Sequence, residues 1–282
     1  MSTIRLSLSA FPLRAAAVAL ALAMAGCSTV SGGSGGPDFA EREGPSADAS
    51  INIASLDEVV RRNPNDPEAY NTRGVAYAKT GRYSEAVADF GKALKLDPAS
   101  AAAYTNRALA FRQMGRDDAA LQDFTRAIAA NGRYAPAYLG RANLLRAQGN
   151  GQEALADLNQ AIALNPEGAQ AFHARGLIYQ REGQHPRAIT DFDNAIDRDP
   201  FAAAPYQARG QSLIAVGKFP AAIEDFNAAL NVNAKNADAW AGLGLAYERS
   251  ANRTKAVESY NRAMVVDPNN AAAREGLGRV RG

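Results

Sequence analysis

Two charged residue types recur with a fixed spacing, and they are the side chains with the clearest capacity for chemistry. An arginine occupies the same position in each of five consecutive segments, and an aspartate follows it 16 residues later: Arg73, Asp89, Arg107, Asp123, Arg141, Asp157, Arg175, Asp191, Arg209 and Asp225. In a sixth segment both positions change together, to Leu243 and Ser259. One interpretation is that the five arginines or the five aspartates bind a ligand of opposite charge. Joint retention and joint loss instead favour a structural ion pair within each segment, because removing one partner of a buried pair costs more than removing both.

The sequence contains few of the residue patterns that catalytic or metal-binding sites require. His173 and His185 are the only histidines, and no carboxylate or thiol stands at a matching ligand spacing. A G-x-S-x-G match at residues 32–36 lies in a Ser/Gly/Pro-rich stretch, without the strand and helix that a nucleophile elbow needs. Metalloprotease, Walker and dinucleotide motifs do not occur. We therefore expect no catalytic residue, no metal, no cofactor and no enzymatic activity.

The charged positions belong to a longer pattern that repeats every 34 residues from Pro67 to Asn270. Each segment opens on a large residue, has a small residue four positions later and a second large residue three positions after that. The first large residues are Tyr70, Tyr104, Tyr138, Phe172, Tyr206 and Trp240, and the small ones are Gly74, Ala108, Ala142, Gly176, Gly210 and Gly244. Spacings of four and three place these positions on one face of a helix.

A turn and a second helix complete each segment. Glycine stands at the turn in five segments and Ala251 in the sixth, as expected where a helix ends on a left-handed residue. The second helix carries a large residue between two alanines, as in Ala86, Phe90 and Ala93. Large residues of one helix can then pack over small residues of its neighbour, so that each segment buries its apolar face only when it stacks on the next.

This organisation predicts an all-α protein of tandem helix–turn–helix units. Six complete repeats span residues 67–100, 101–134, 135–168, 169–202, 203–236 and 237–270. Residues 51–66 match only the second helix of a further repeat, and residues 271–282 begin another first helix, with Arg274 at the aromatic position. We interpret residues 271–282 as a polar capping helix.

The repeating aromatic, small, aromatic, Ala, Phe, Ala and Pro positions resemble the tetratricopeptide repeat (TPR) family. The resemblance covers residues 67–270 and implies a right-handed α-solenoid whose first helices line a concave face where ligands lie. On that face, polar residues next to the apolar stripe form a candidate partner groove: Asn71, Asn106, Arg112, Asn143, Arg146, His173, Gln180, Gln207 and Gln211. Amides can pair with the backbone of a protein or peptide. The alternative for each residue is an ordinary solvated surface.

The amino terminus has the features of an export signal. Residues 1–26 contain Arg5 and Arg14, no acidic residue, and an apolar stretch too short to span a bilayer. Residues 22–27 (LAMAGC) resemble a bacterial lipobox, which implies that Cys27, the only cysteine, is lipidated. A plain signal peptide is the alternative. Residues 27–50 then form a flexible tether, and Ser28 in place of aspartate implies sorting to the outer membrane, facing the periplasm.

Charge argues against nucleic acid as a partner. The chain has 31 basic and 29 acidic residues, and two of the basic ones lie in residues 1–26. The remainder is neutral and has no basic cluster in its sequence, as nucleic-acid binding would require.

Together these features predict a lipid-anchored TPR scaffold of the bacterial cell envelope, which contacts the membrane only through its lipid. Its partners would be envelope proteins or peptides, and the resemblance to TPR lipoproteins suggests that it organises cell-wall hydrolases. A pilotin-like assembly factor for an outer-membrane secretin or pilus complex is the alternative. An accessory subunit of an enzyme is a third hypothesis. The sequence leaves open whether the chain forms a homodimer through its end helices.

Overall fold

The structure is a computed structural model that describes residues 53–282. Within this range the chain forms fourteen α-helices and no strand. The helices are α1 (Ile53–Arg62), α2 (Pro67–Lys79), α3 (Tyr83–Leu96), α4 (Ala101–Gln113), α5 (Asp117–Ala130), α6 (Ala135–Ala147), α7 (Gly151–Leu164), α8 (Ala169–Arg181), α9 (His185–Arg198), α10 (Ala203–Ala215), α11 (Phe219–Val232), α12 (Ala237–Arg249), α13 (Arg253–Val266) and α14 (Ala271–Arg281).

The helices pack as two layers. We call α2, α4, α6, α8, α10 and α12 the first helices, and α3, α5, α7, α9, α11 and α13 the second helices. Each first helix packs most extensively on the second helix that follows it, and consecutive first helices also contact one another. Between consecutive second helices the described residues show no such contact. The first helices therefore lie on the inner side of the stack, and the all-α solenoid of tandem helix–turn–helix repeats is confirmed.

Glycine allows the sharp turn between the two helices of a repeat. Gly81, for example, has φ = 77°, and the equivalent glycines of the next four repeats are also left-handed. A residue without Cβ adopts this conformation at little cost. Ala251 takes the same conformation in the sixth repeat, with φ = 58°.

Buried aromatic rings fill the space between the layers and lie against glycines. A Cβ atom built on Gly74 would stand 2.6 Å from the Phe90 ring of the same repeat. The Phe124 ring instead lies against Gly140 of the next repeat, where a Cβ atom would be 2.3 Å away. The second helix thus packs on the first helix of its own repeat and on that of the following one, which sets the spacing of the stack.

Both ends of the described array carry an extra helix. Helix α1 packs on α2 and occupies the place of a preceding second helix. Helix α14 packs on α12 and α13, where Gly276 lies under the Tyr260 ring and Arg279 forms an ion pair with Glu248 at 2.9 Å. Arg274, at the aromatic position, donates to the Pro268 carbonyl oxygen at 3.3 Å.

Several expectations concern residues outside the described part of the chain. The signal peptide at 1–26, the lipidated Cys27, the tether at 27–50 and the first two residues of the partial repeat at 51–66 all lie there. No helix within residues 53–282 has the length and apolar character needed to cross a bilayer.

Candidate functional site

The five arginine–aspartate positions come together within their own repeats. In each case the arginine Nε and Nη2 atoms donate to the two carboxylate oxygens, as with Arg141 and Asp157 at 2.7 and 2.8 Å. The other bonds, between 2.6 and 2.9 Å, join Arg73 to Asp89, Arg107 to Asp123, Arg175 to Asp191 and Arg209 to Asp225. This two-bonded geometry is the strongest form of the interaction. It fixes the first helix against the second.

The third guanidinium nitrogen of four of these arginines reaches back to the preceding second helix or, for Arg73, to α1. Arg175 Nη1 donates to Asn159 Oδ1 at 2.7 Å, and Arg209 Nη1 donates to Asp193 Oδ1 at 2.5 Å. Arg73 reaches Asp57 at 3.0 Å, and Arg141 reaches Thr125 at 3.4 Å. This second contact is not evident from the repeat pattern of arginine and aspartate. A polar residue 16 positions before each of these arginines is the signal that could have revealed it.

Burial and pairing leave these charges little freedom to meet a ligand. The five aspartate side chains are between 2% and 10% exposed. Hydrogen bonding to the paired aspartate raises the pKa of Arg73, Arg141, Arg175 and Arg209 above its ordinary value. The positive charges are therefore held and matched inside each repeat, which is what a structural ion pair requires.

Two of the predicted groove residues do not reach the groove surface. Asn71 is 2% exposed and Asn106 is fully buried, and Asn106 Nδ2 donates to Asn71 Oδ1 at 3.1 Å. They lie between the first helices of the first two repeats. Contrary to the prediction, they do not lie on an open partner surface: close packing of α2 on α4 covers them, so they act in the contact between repeats.

Two glutamines of the predicted groove also bond between repeats. Gln180 Nε2 donates to the Ala208 carbonyl oxygen at 2.8 Å and to Ser212 Oγ at 2.9 Å, which joins α8 to α10. Gln207 Oε1 accepts from Asn236 Nδ2 at 2.7 Å at the start of α12. Both side chains are partly exposed, so they stabilise the stack while one side remains accessible.

The remaining predicted groove residues stay accessible on the first helices. Gln211 is exposed, and Arg112, Asn143, Arg146 and His173 are partly exposed. Burial, together with the positive charges of Arg181 and Arg112, lowers the pKa of Arg146. Arg181 Nη1 donates to the Arg146 carbonyl oxygen at 3.4 Å. Arg181 was missing from the predicted groove, because only the stacking of α8 on α6 brings it next to Arg146.

His173 lies beside this basic group and is uncharged at neutral pH. Burial, and to a smaller extent the charge of Arg146, lowers its pKa to about 4. Its ring lies against that of Phe192, with centroids 5.8 Å apart. Among residues 53–282 no group of three or more His, Cys, Asp or Glu side chains is placed to hold a metal ion. The accessible chemistry of the inner face is therefore hydrogen bonding and positive charge.

Models of one protein family match most of the described chain. A model described as "TPR repeat" matches residues 76–115, 142–183 and 210–250. Two models described as "Tetratricopeptide repeat" match residues 55–88 and residues 101–134, 169–201 and 237–270. Together the matches span residues 55–134, 142–201 and 210–270. A search of curated proteins returned no significant match.

Solved structures share the fold at low sequence identity. The "APC/C hetero-tetramer Cut9-Hcn1" superposes with a TM-score of 0.72 at 22% identity over 81% of this chain, but this covers only 45% of that chain. The "Pseudomonas Aeruginosa pilF" structure has a TM-score of 0.70 at 20% identity and is matched over 99% of its length by 80% of this chain. PilW, described as a "widely conserved type IV pilus biogenesis factor", has a TM-score of 0.67 at 18% identity, covering 75% of this chain and 98% of that chain.

These similarities establish the fold and leave the partner open. The repeat period, the two-layer packing and the family models agree over the same residues. The chain belongs to the tetratricopeptide repeat family.

Proposed function

We propose that this protein is a lipid-anchored scaffold of the bacterial cell envelope that binds other envelope proteins on its inner face. TPR repeat arrays generally act as protein interaction scaffolds and are generally not catalytic. The observation that carries the proposal is the continuous layer of first helices, which presents accessible polar side chains such as Arg146 and Gln211. Such a surface suits an extended segment or a helix of a partner.

The anchor is proposed from the sequence of the amino terminus. Residues 22–27 (LAMAGC) support lipid attachment at Cys27, and Ser28 supports sorting to the outer membrane, with the repeats in the periplasm. One acyl chain binds a membrane only marginally, whereas several together hold a protein firmly. Replacing Cys27 with serine tests the anchor, and the expected result is release of the protein from the membrane fraction. Loss of the lipid should also appear in the mass of the amino-terminal peptide. Unchanged membrane association of the variant would argue against the anchor.

Cell-wall hydrolases are the partners we favour, and a pilus or secretin assembly complex is the second candidate. The second candidate gains support from PilF and PilW, since this chain matches almost their entire length. An accessory role beside an enzyme remains a third hypothesis. A deletion strain separates the first two: defective cell separation supports the first, and loss of assembled secretin supports the second.

Site-specific crosslinking tests whether the inner face binds a protein. Gln211 is exposed on first helix α10, and Val265 is 80% exposed on second helix α13. Each is replaced in turn with a photoreactive phenylalanine. We expect illumination of cells to give a defined protein adduct from position 211 and none from position 265. Equal adducts from both positions, or none from 211, would contradict binding on the inner face.

A further inference from the structure

Acidic residues are missing from the middle of the inner layer. Helices α4, α6, α8 and α10 contain no aspartate or glutamate, although the chain has 29 acidic residues. Each of these helices has one arginine that is matched by the aspartate of the following second helix. Three arginines remain on these helices beyond the matched set: Arg112, Arg146 and Arg181. The first helices of repeats two to four therefore carry basic residues and no acidic ones.

The charges of these arginines, which come from three successive repeats, interact at Arg146. Burial, and then the positive charges of Arg181 and Arg112, lower the pKa of Arg146. Arg181 Nη1 is 3.4 Å from the Arg146 carbonyl oxygen, which places its guanidinium at the end of α6. Like charges brought together in this way repel, so the cluster carries a cost in the isolated protein.

The described residues do not supply the matching negative charge for two of these arginines. Within residues 53–282 no carboxylate oxygen lies within 4.0 Å of a guanidinium nitrogen of Arg146 or Arg181. Glu182 follows Arg181 in sequence, but its carboxylate accepts from Gln184 at 2.8 Å. The Nε atom of Arg146 is buried and has no acceptor among the described residues. Arg146 is partly exposed and Arg181 is exposed, so an acceptor from another molecule can meet their charges.

We propose that Arg146 and Arg181, reinforced by the charge of Arg112, form a binding subsite for acidic side chains of an extended partner segment. A planar guanidinium can hold a carboxylate through two parallel hydrogen bonds, which suits aspartate and glutamate. This assignment rests on the proposed function, since it takes the inner face to be the protein-binding surface. It adds the chemistry of the partner and the residues that recognise it.

Selection from a random peptide library tests the assignment without knowledge of the natural partner. Phage-displayed random twelve-residue peptides are selected on the immobilised full chain and on the double variant Arg146→Gln with Arg181→Gln. A matched control, Arg253→Gln with Arg262→Gln, removes the same charge from exposed positions on second helix α13. Circular dichroism establishes that all three proteins are folded. Glutamine keeps a hydrogen-bonding side chain, so the test variant removes mainly charge.

We expect the peptides retained by the full chain and by the control to be enriched in aspartate and glutamate. Their retention on the test variant should fall by at least about tenfold, the size of one charged hydrogen bond. Selected peptides without acidic enrichment, or with equal retention on the test variant, would overturn the subsite and leave the proposed function standing. Failure to retain any peptide on the folded full chain would overturn both.

Discussion

A basic side chain on the inner face has one of two roles, depending on where its negative partner comes from. Arg141 and Arg146 lie on the same helix, α6. Arg141 meets Asp157 with two short hydrogen bonds, and its charge is matched inside the repeat. Arg146 has no carboxylate within 4.0 Å among the described residues, and burial together with neighbouring arginines lowers its pKa. The first residue holds the fold together, and the second is available for recognition.

The pH dependence of stability should reveal the environment of His173. Its pKa in the folded protein, about 4, lies below the ordinary value of 6.5. As the pH falls from 6.5 towards 4, the unfolded chain binds a proton that the folded protein excludes. The free energy of unfolding should therefore decrease over this range, by up to about 3 kcal/mol. Urea unfolding at pH 7 and pH 4.5 measures this loss.

The variant His173→Gln is the control for this prediction. It removes the titrating group, while the carboxylates that also titrate near pH 4.5 are the same in both proteins. The variant should therefore lose less stability on acidification than the wild type. An equal loss in the two proteins would mean that His173 is protonated as easily in the folded state as in the unfolded state.

At the scale of the helix pair, an ion pair and an aromatic ring perform different tasks. The arginine–aspartate pairs set the orientation of the two helices within a repeat, and most also reach the preceding second helix. The rings of Phe90, Phe124 and their equivalents fill the space between the layers and require a glycine or alanine opposite. In the sixth repeat, Leu243 and Ser259 are buried at the positions of the ion pair, while Tyr260 keeps the buried aromatic ring. A repeat can therefore lose the ion pair and still keep the ring.

Replacing both members of an ion pair should cost less than replacing one. Asp157→Ala leaves the Arg141 guanidinium without its carboxylate in a partly buried position, and we expect a loss of about 3 kcal/mol. The double variant Arg141→Leu with Asp157→Ser copies the sixth repeat, and we expect a loss of about 1 kcal/mol. Thermal melts of the two variants compare them directly. Identical melting temperatures would refute the pairing as a source of stability.

The glycines under aromatic rings should not tolerate a methyl group. Gly140→Ala places Cβ 2.3 Å from the buried Phe124 ring, and we expect overpacking to cost about 1–3 kcal/mol. Gly91 lies within helix α3, where the nearest atom to an added Cβ is Arg107 Nη1 at 3.7 Å. Gly91→Ala should therefore stabilise the protein by about 0.5–1 kcal/mol through helix propensity. Urea midpoints that move in the same direction for both would contradict this account.

The periodic positions predicted the helix pairs well, because each depends on residues three, four or sixteen apart within one repeat. Contacts between repeats were harder to predict. Asn71 and Asn106 are polar and lie beside the apolar stripe, yet they are buried because α2 and α4 approach closely. Arg181 joins Arg146 only through the stacking of α8 on α6. The absence of acidic residues from four successive first helices is the sequence signal that could have indicated the basic subsite.

At the scale of the whole described array, each helix is stabilised by contacts with its neighbours. Each helix contacts only helices one or two positions away in the chain. A change at one end of the array therefore does not directly alter the contacts at the other end. The last helix of the array is α14, in which Gly276 packs against the Tyr260 ring and Ala273 and Val280 are buried. The subsite at Arg146 and Arg181 lies several helices away, in the third and fourth repeats.

Removing α14 should therefore destabilise one end and leave binding intact. A chain that stops after Asn270 uncovers the Tyr260 ring, so amide protons of α12 and α13 should exchange much faster while those of α2 to α5 keep their protection. Hydrogen exchange with mass spectrometry resolves the two ends.

The control for this truncation is Arg279→Ala, which keeps the helix and removes the partly exposed ion pair with Glu248 and a hydrogen bond to the Tyr260 hydroxyl, a change of about 0–1 kcal/mol. A uniform loss of protection in the truncated chain would show that the repeats unfold as one unit, contrary to nearest-neighbour stacking. If stacking holds, acidic peptides retained by the full chain should bind the truncated chain equally well, since the arginines that recognise them are positioned by α6 and α8 and their own neighbours.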